Sequence, residues 1–121
     1  MWSSIMVCLE LHILWLDDSA DKRFPAAGAA AFPPKGEPFA ITLEEFERDM
    51  TVNTTSVWVA AQQAVRGFAE LAADVPKLFT FTGNILNVVP LPQFLSSGAG
   101  KAASAHIIRT AALELEDQGY R

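Results

Sequence analysis

One run, KLFTFT at Lys77–Thr82, reads as the single clear β-strand of this sequence. It is short, apolar and rich in β-favouring residues, and Gly83 closes it, which is the pattern of a buried strand. A parallel strand satisfies its backbone only between other strands. What this strand lacks therefore constrains the fold more than what it has. On either side the pattern is helical. TLEE at Thr42–Glu45 has capping-box spacing: the Thr42 hydroxyl accepts from the Glu45 backbone N–H, and the Glu45 carboxylate reaches back. A helix is expected from there, with Leu43, Phe46 and Met50 on one face. TVNTT, Thr51–Thr55, interrupts it with poor helix formers. The spacing then resumes with Val57, Ala61, Ala64, Val65, Phe68, Leu71 and Ala72, predicting an amphipathic helix to about residue 73 that Pro76 ends. Residues 83–93, GNILNVVPLPQ, read as a loop. The last helix is expected from about Phe94 to Gln118, with Ile107, Ile108, Ala111 and Leu115 on its apolar side and Gly119 as C-cap.

Helix–strand–helix is the repeating unit of an α/β layered fold, so the expected class is α/β, mainly helical, with one strand at 78–82. The 121 residues make one domain at most. At 50% hydrophobic and 19% charged residues the chain is too apolar to be disordered. A net charge of −5 supplies no basic surplus for nucleic acid. Cys8 is the only cysteine and there are two histidines, which excludes an internal disulfide and leaves little for a structural metal site, so none is expected. The apolar start, MWSSIMVCLELHILWLDD, fits neither a signal peptide nor a membrane span, because no basic residue precedes Lys22 and Glu10 and His12 interrupt it. The chain is therefore read as soluble, cytoplasmic by default, with no membrane partner. Residues 17–38 are rich in Ala, Pro and Gly and read as loop or linker. The expected division is an atypical segment and linker over 1–36 and a partial domain over 37–121. The abrupt change near residue 36 also admits that residues 1–32 are not a genuine coding segment.

FLSSGAGK, Phe94–Lys101, invites a phosphate-loop reading that fails on spacing. Leu95 stands where the first glycine is needed, and Ala102 where Ser or Thr is needed. The seven glycines include no G-x-G-x-x-G trio. TGN at Thr82–Asn84 begins like a T-G-x-x-x-G-x-G loop, but Asn87 occupies the next glycine position. No G-x-S-x-G elbow is present. His106 and Ser104 are not stacked on one helix face, and His106 reads as a surface or partly packed residue. The carboxylates Glu44, Glu45, Glu47 and Asp49 read as a solvated face near a helix N-terminus. Glu114, Glu116 and Asp117 read as another solvated face.

The stretches EPFAITLEEFERDMTVNTTSVWVAAQQAV, KLFTFTGN and SGAGKAASAHIIRTAALEL together resemble the central segment of a short-chain dehydrogenase/reductase, over roughly residues 37–121. In that family an asparagine interrupts the long helix before the fifth strand, and Asn53 stands there. A serine normally follows that strand; the matching position here is Asn84. A Tyr-x-x-x-Lys then opens the next helix, and SGAGK matches it with Lys101 retained and Ser97 in the tyrosine's place. The resemblance implies an incomplete Rossmann-like, doubly wound unit. It also implies NAD or NADP in complete relatives, and a remnant site at Asn53, Asn84, Ser97 and Lys101, where Lys101 would hold the nicotinamide ribose. In the family the tyrosine moves the proton at the substrate oxygen, the lysine lowers its pKa, and the serine polarises the carbonyl. A serine hydroxyl is a poorer proton donor than a phenol with its pKa near 10. Asn84 is the milder change, since its amide still donates. Tyr120 is the only tyrosine and no lysine follows it. GAAAF, Gly28–Phe32, falls where the family has an Asn-Ala-Ala-Gly turn but lacks the asparagine, and LHILWL, Leu11–Leu16, is a candidate for the preceding strand.

Two functional expectations follow. One is a truncated, divergent oxidoreductase-like chain that is inactive alone and does not bind the cofactor. The other is a non-catalytic module that self-associates through helices 54–73 and 94–118, the pair that commonly builds the subunit interface in the family.

Overall fold

A computed structural model describes residues 8–12, 23–27 and 30–120. Cys8–His12 (β1) and Arg23–Ala27 (β2) pair antiparallel, with Cys8 opposite Ala27 and His12 opposite Arg23. This corrects the linker assigned to 17–38, because β2 lies inside it. Pro25, opposite Glu10, is tolerated because both strands of a two-stranded ribbon are edge strands. Of LHILWL, Leu11 and His12 belong to β1, and the rest lies outside the described residues.

The remaining body is mainly helical. Leu43–Met50 (α1) starts on the expected capping box: Glu45 N–H donates to Thr42 Oγ1 at 3.2 Å, and Thr42 N–H to Glu45 Oε2 at 2.8 Å. Phe46 and Met50 are half-buried, but Leu43 is 70% exposed, so the first turn overhangs the core. TVNTT does not break the helix as expected. The backbone stays right-handed through Thr51–Thr55 as a π-helical turn and runs on into Ser56–Glu70 (α2). The poor helix formers thus appear as a widened turn, a form that recurs at functional sites. Polar side chains close onto local carbonyls there, Asn53 Nδ2 to Asp49 O at 2.9 Å and Ser56 Oγ to Val52 O at 2.5 Å. From α2, Val57, Ala64 and Phe68 are buried, while Ala72 is exposed. The helix ends at Glu70, earlier than expected, because Leu71 turns extended and a turn from Ala72 O to Val75 N–H follows.

Leu95–Leu115 (α3) is entered through a 3-10 turn at Pro92–Phe94 and left through another at Glu116–Gln118. Gly119 caps it at φ +71°, a left-handed conformation that glycine adopts without strain. The expected apolar side, Ile107, Ile108, Ala111 and Leu115, is only half-buried. The buried face of α3 is small and polar: Ser96, Ser97, Gly100, Lys101 and Ser104. It packs on α1 and the π turn. There Thr54 Oγ1 donates to Gly100 O at 3.2 Å, and the Ser104 hydroxyl donates to the Asn53 carbonyl.

The strand expected at 78–82 is not formed. The segment is extended, and among the described residues its only ladder contact is a parallel bridge between Lys77 and Tyr120. Lys77, Phe79 and Phe81 are half-buried while Leu78, Thr80 and Thr82 are exposed, which is a strand's alternation. What is missing is a neighbour: among the described residues none runs alongside to take up its backbone groups. Its inner side meets the helices at an apolar cleft of about 60 Å³ lined by Ala64, Phe68, Phe79, Ile108, Leu115 and Tyr120. Phe68 and Tyr120 meet edge-on with centroids 5.3 Å apart, and Lys77 Nζ lies 5.4 Å from the Tyr120 ring centre. Among the described residues no helix is long and apolar enough to cross a membrane.

Two glycines of α3 separate close packing from helix propensity. A Cβ at Gly100 would stand 2.7 Å from Asn53 Cβ, whereas at Gly98 the nearest atom is Leu86 O at 3.7 Å. Gly100→Ala is expected to destabilise by about 1–3 kcal/mol through overpacking. Gly98→Ala is expected to be neutral or stabilising by up to about 1 kcal/mol. Urea unfolding of the two variants beside the parent chain checks the order.

Candidate functional site

Three of the four expected site residues lie on the seam between α3 and the α1–π–α2 helix. Ser97 sits in the first turn of α3 and Lys101 one turn later on the same face, 4% and 6% exposed. Asn53, 2% exposed, faces them from the π turn, its Cβ against Gly100. The Ser97 hydroxyl is turned into its own helix, donating to Phe94 O at 3.4 Å. Lys101 Nζ lies 5.8 Å from the Phe81 ring centre. Burial lowers the Lys101 pKa below its ordinary 10.5, because the charged amine loses water.

Asn84 is placed differently. It is exposed, and its side-chain oxygen accepts the Leu86 N–H at 3.0 Å, capping the 3-10 turn Ile85–Asn87. The amide NH₂ is then the end left to donate. Tyr120 belongs to the apolar cleft, and His106 is exposed. Among the described residues no group of acidic, His or Cys side chains could hold a metal ion.

The residue that the sequence reading misplaced is Asp49. Assigned there to a solvated face, it is fully buried. Its Oδ2 accepts the Ala31 backbone N–H at 2.6 Å and the Ser96 hydroxyl at 2.5 Å, and its Oδ1 pairs with the half-exposed Arg48 guanidinium at 3.1 Å. A signal for this was present. Asp49 stands four residues before Asn53 and eight before Val57, on the stripe that becomes buried. Ser96, Gly100 and Ser104 repeat at four-residue spacing on the helix that meets it.

The sequence matches no family profile. It is similar to curated proteins over part of its length. A protein named short chain dehydrogenase/reductase from Cryptosporiopsis sp. (strain 8999) is 41% identical over 95 residues, 78% of this chain and 39% of that protein. A glucose 1-dehydrogenase of Gluconobacter oxydans (strain 621H) is 32% identical over 67% of this chain and 30% of its own length. A 3-beta-hydroxysteroid dehydrogenase of Comamonas testosteroni is 31% identical over 64% of this chain and 29% of its own length. The match thus spans between 29% and 39% of these relatives.

Lys101 gives the seam a definite pH signature. Between its lowered folded pKa and 10.5 the unfolded chain binds more protons than the folded one, so stability rises with pH through that window. Below the window the buried charge is a constant cost; above it the cost is gone. Lys101→Met, similar in shape and uncharged, is expected to be at least as stable as the parent near pH 7. Its advantage should shrink as pH approaches 10.5. Urea unfolding across that range should give converging curves, and parallel curves would contradict the assignment.

Proposed function

The chain carries a divergent segment of the short-chain dehydrogenase/reductase family, and we propose that this segment is catalytically silent by itself. The observation that carries the proposal is the state of the tyrosine's position. Ser97 stands there, and its hydroxyl serves a carbonyl of its own helix. Proton transfer to a substrate oxygen needs a group within hydrogen-bond reach of that oxygen and with a suitable pKa; a buried aliphatic hydroxyl offers neither. Tyr120 does not replace it, being engaged with Phe68 and Lys77.

Complete members of the family work with NAD or NADP. The residues described here do not fit that cofactor. Lys101, which would hold the ribose, is covered and faces Phe81. No glycine trio in the 121 residues has the spacing of a pyrophosphate loop. We therefore assign no hydride-transfer step to this segment. With the purified 121-residue chain, NADH and NADPH fluorescence titrations should show no saturable binding, and a panel of aldehydes and ketones should give no cofactor oxidation above the blank. Turnover abolished by Lys101→Met would overturn the proposal.

A second function is self-association through helices 54–73 and 94–118. Its support is apolar surface left open on them: Trp58, Val59 and Leu113 are 52%, 49% and 77% exposed. Pairing of two copies would cover such surface. Sedimentation should show a concentration-dependent dimer that Trp58→Glu weakens. A folded monomer at all concentrations would remove this reading.

A further inference from the structure

The buried carboxylate of Asp49 has no role in the degenerate site as described so far, yet it touches the segment on which that site is built. Helix α3 begins without help of its own. Its N-cap position, Phe94, makes no side-chain capping bond, and its first turn contains no acidic residue. A helix N-terminus presents unpaired N–H groups and a partial positive charge, and normally meets a capping oxygen or an acidic side chain. Here the acidic group comes from another helix. Ser96, the second residue of α3 and fully buried, donates its hydroxyl to Asp49 Oδ2. The same oxygen takes the Ala31 N–H, so one carboxylate ties together α1, the start of α3 and the chain before α1.

We propose that Asp49 is the positioning residue of the Ser97–Lys101 site, holding the first turn of α3 in place from α1 through Ser96. Ser97 is the next residue along, and Lys101 lies little more than one turn further, so their side chains are set by where that turn sits. The other tethers on this face lie beyond Ser97: Thr54 reaches the Gly100 carbonyl and Ser104 the Asn53 carbonyl. At Ser97 itself the only hydroxyl bond goes back to Phe94, within the same turn, and fixes nothing relative to α1. Phe94 packs edge-on against Phe32 at 5.3 Å, which restrains the entry to α3 but leaves its rotation to the polar contact. Without the Ser96–Asp49 bond the first turn can roll or fray, water reaches Lys101, and the amine recovers its solvated behaviour.

This inference rests on reading Ser97 and Lys101 as the altered family site, but its test needs neither cofactor nor substrate. The titration of Lys101 is followed by side-chain NMR in the full 121-residue chain, with Lys35 as internal reference and Lys101→Arg for assignment. Ser96→Ala is the informative variant because it removes the tether and keeps the carboxylate charge. Its Lys101 midpoint should move upward by about half a pH unit or more, roughly a threefold fall in the neutral fraction at a given pH. Thr42→Ala, which removes the α1 cap far from Asp49, lowers stability by another route and should leave the midpoint where it is. Ser96→Cys, close in size and a weak donor, takes over should the alanine variant not fold. A folded Ser96 variant with an unmoved Lys101 midpoint overturns the proposal, as does an equal movement in Thr42→Ala. Failure of the cofactor experiment above would change the function assigned to the site without touching this outcome.

Discussion

Helices usually meet through apolar ridges. The contact between α3 and the α1–π–α2 helix is polar and close instead, and the placement of the candidate site follows from it. Gly100 lets the two backbones approach at Asn53. That closeness buries Asp49, Asn53, Ser96, Ser97, Lys101 and Ser104, every one of which carries a polar group. Such a seam holds only when its groups are mutually bonded, since an orphaned buried polar group costs about 1–3 kcal/mol and a charged one more. Several bonds answer that demand, though none reaches the Lys101 amine: Ser96 and Ala31 to Asp49, Thr54 to Gly100, Ser104 to Asn53, and Asn53 to the Asp49 carbonyl. The π turn fits the same logic. Its wider path frees backbone carbonyls, and the Asn53 carbonyl is answered by a hydroxyl from α3.

The elements written in local chemistry were legible from the sequence. Thr42–Glu45 carries its capping box in four residues, and Gly119 its left-handed cap in one. Asn53, Ser97 and Lys101 were singled out by a resemblance to a family pattern; what the structure adds is that they lie on one seam, and their role is part of the proposal. Asn84 was legible as a position only; its side chain answers to the turn beside it. Asp49 escaped because a run of Glu and Asp near a helix start normally faces water, and its burial depends on Ser96, 47 residues away. TVNTT was correctly seen as unsuited to an α-helix. Whether the helix would break or widen was decided by Thr54 and Ser104 bonding across the seam, which helix propensity does not register.

The strand failed for a related reason. KLFTFT has the composition of a strand and keeps a strand's alternate burial, but composition does not supply a neighbour. A helix closes its hydrogen bonds within its own residues, so α1, α2 and α3 form from the matched segment. A strand closes them with other segments. The bridge between Lys77 and Tyr120 has the parallel sense that α/β sheets use, and it is the single point at which two described segments come into that relation.

The lysine and the serine stand in different relations to the fold. Replacing a tyrosine by serine removes a large amphipathic side chain and leaves one that bonds within its helix, so Ser97 places no demand on its surroundings beyond Phe94. Lys101 does place a demand: a buried ammonium near a phenyl ring gains some cation–π attraction and loses far more hydration. Its lowered pKa records that imbalance. In the family the lysine's charge has a use, because it depresses the pKa of a phenol beside it. Here no phenol is beside it, and the strain on Lys101 remains without the group it would act on. Stability alone would favour an apolar side chain at 101. The proposal of a silent segment therefore joins two observations: Ser97, in the tyrosine's place, bonds within its own helix, and Lys101 is covered with no phenol beside it.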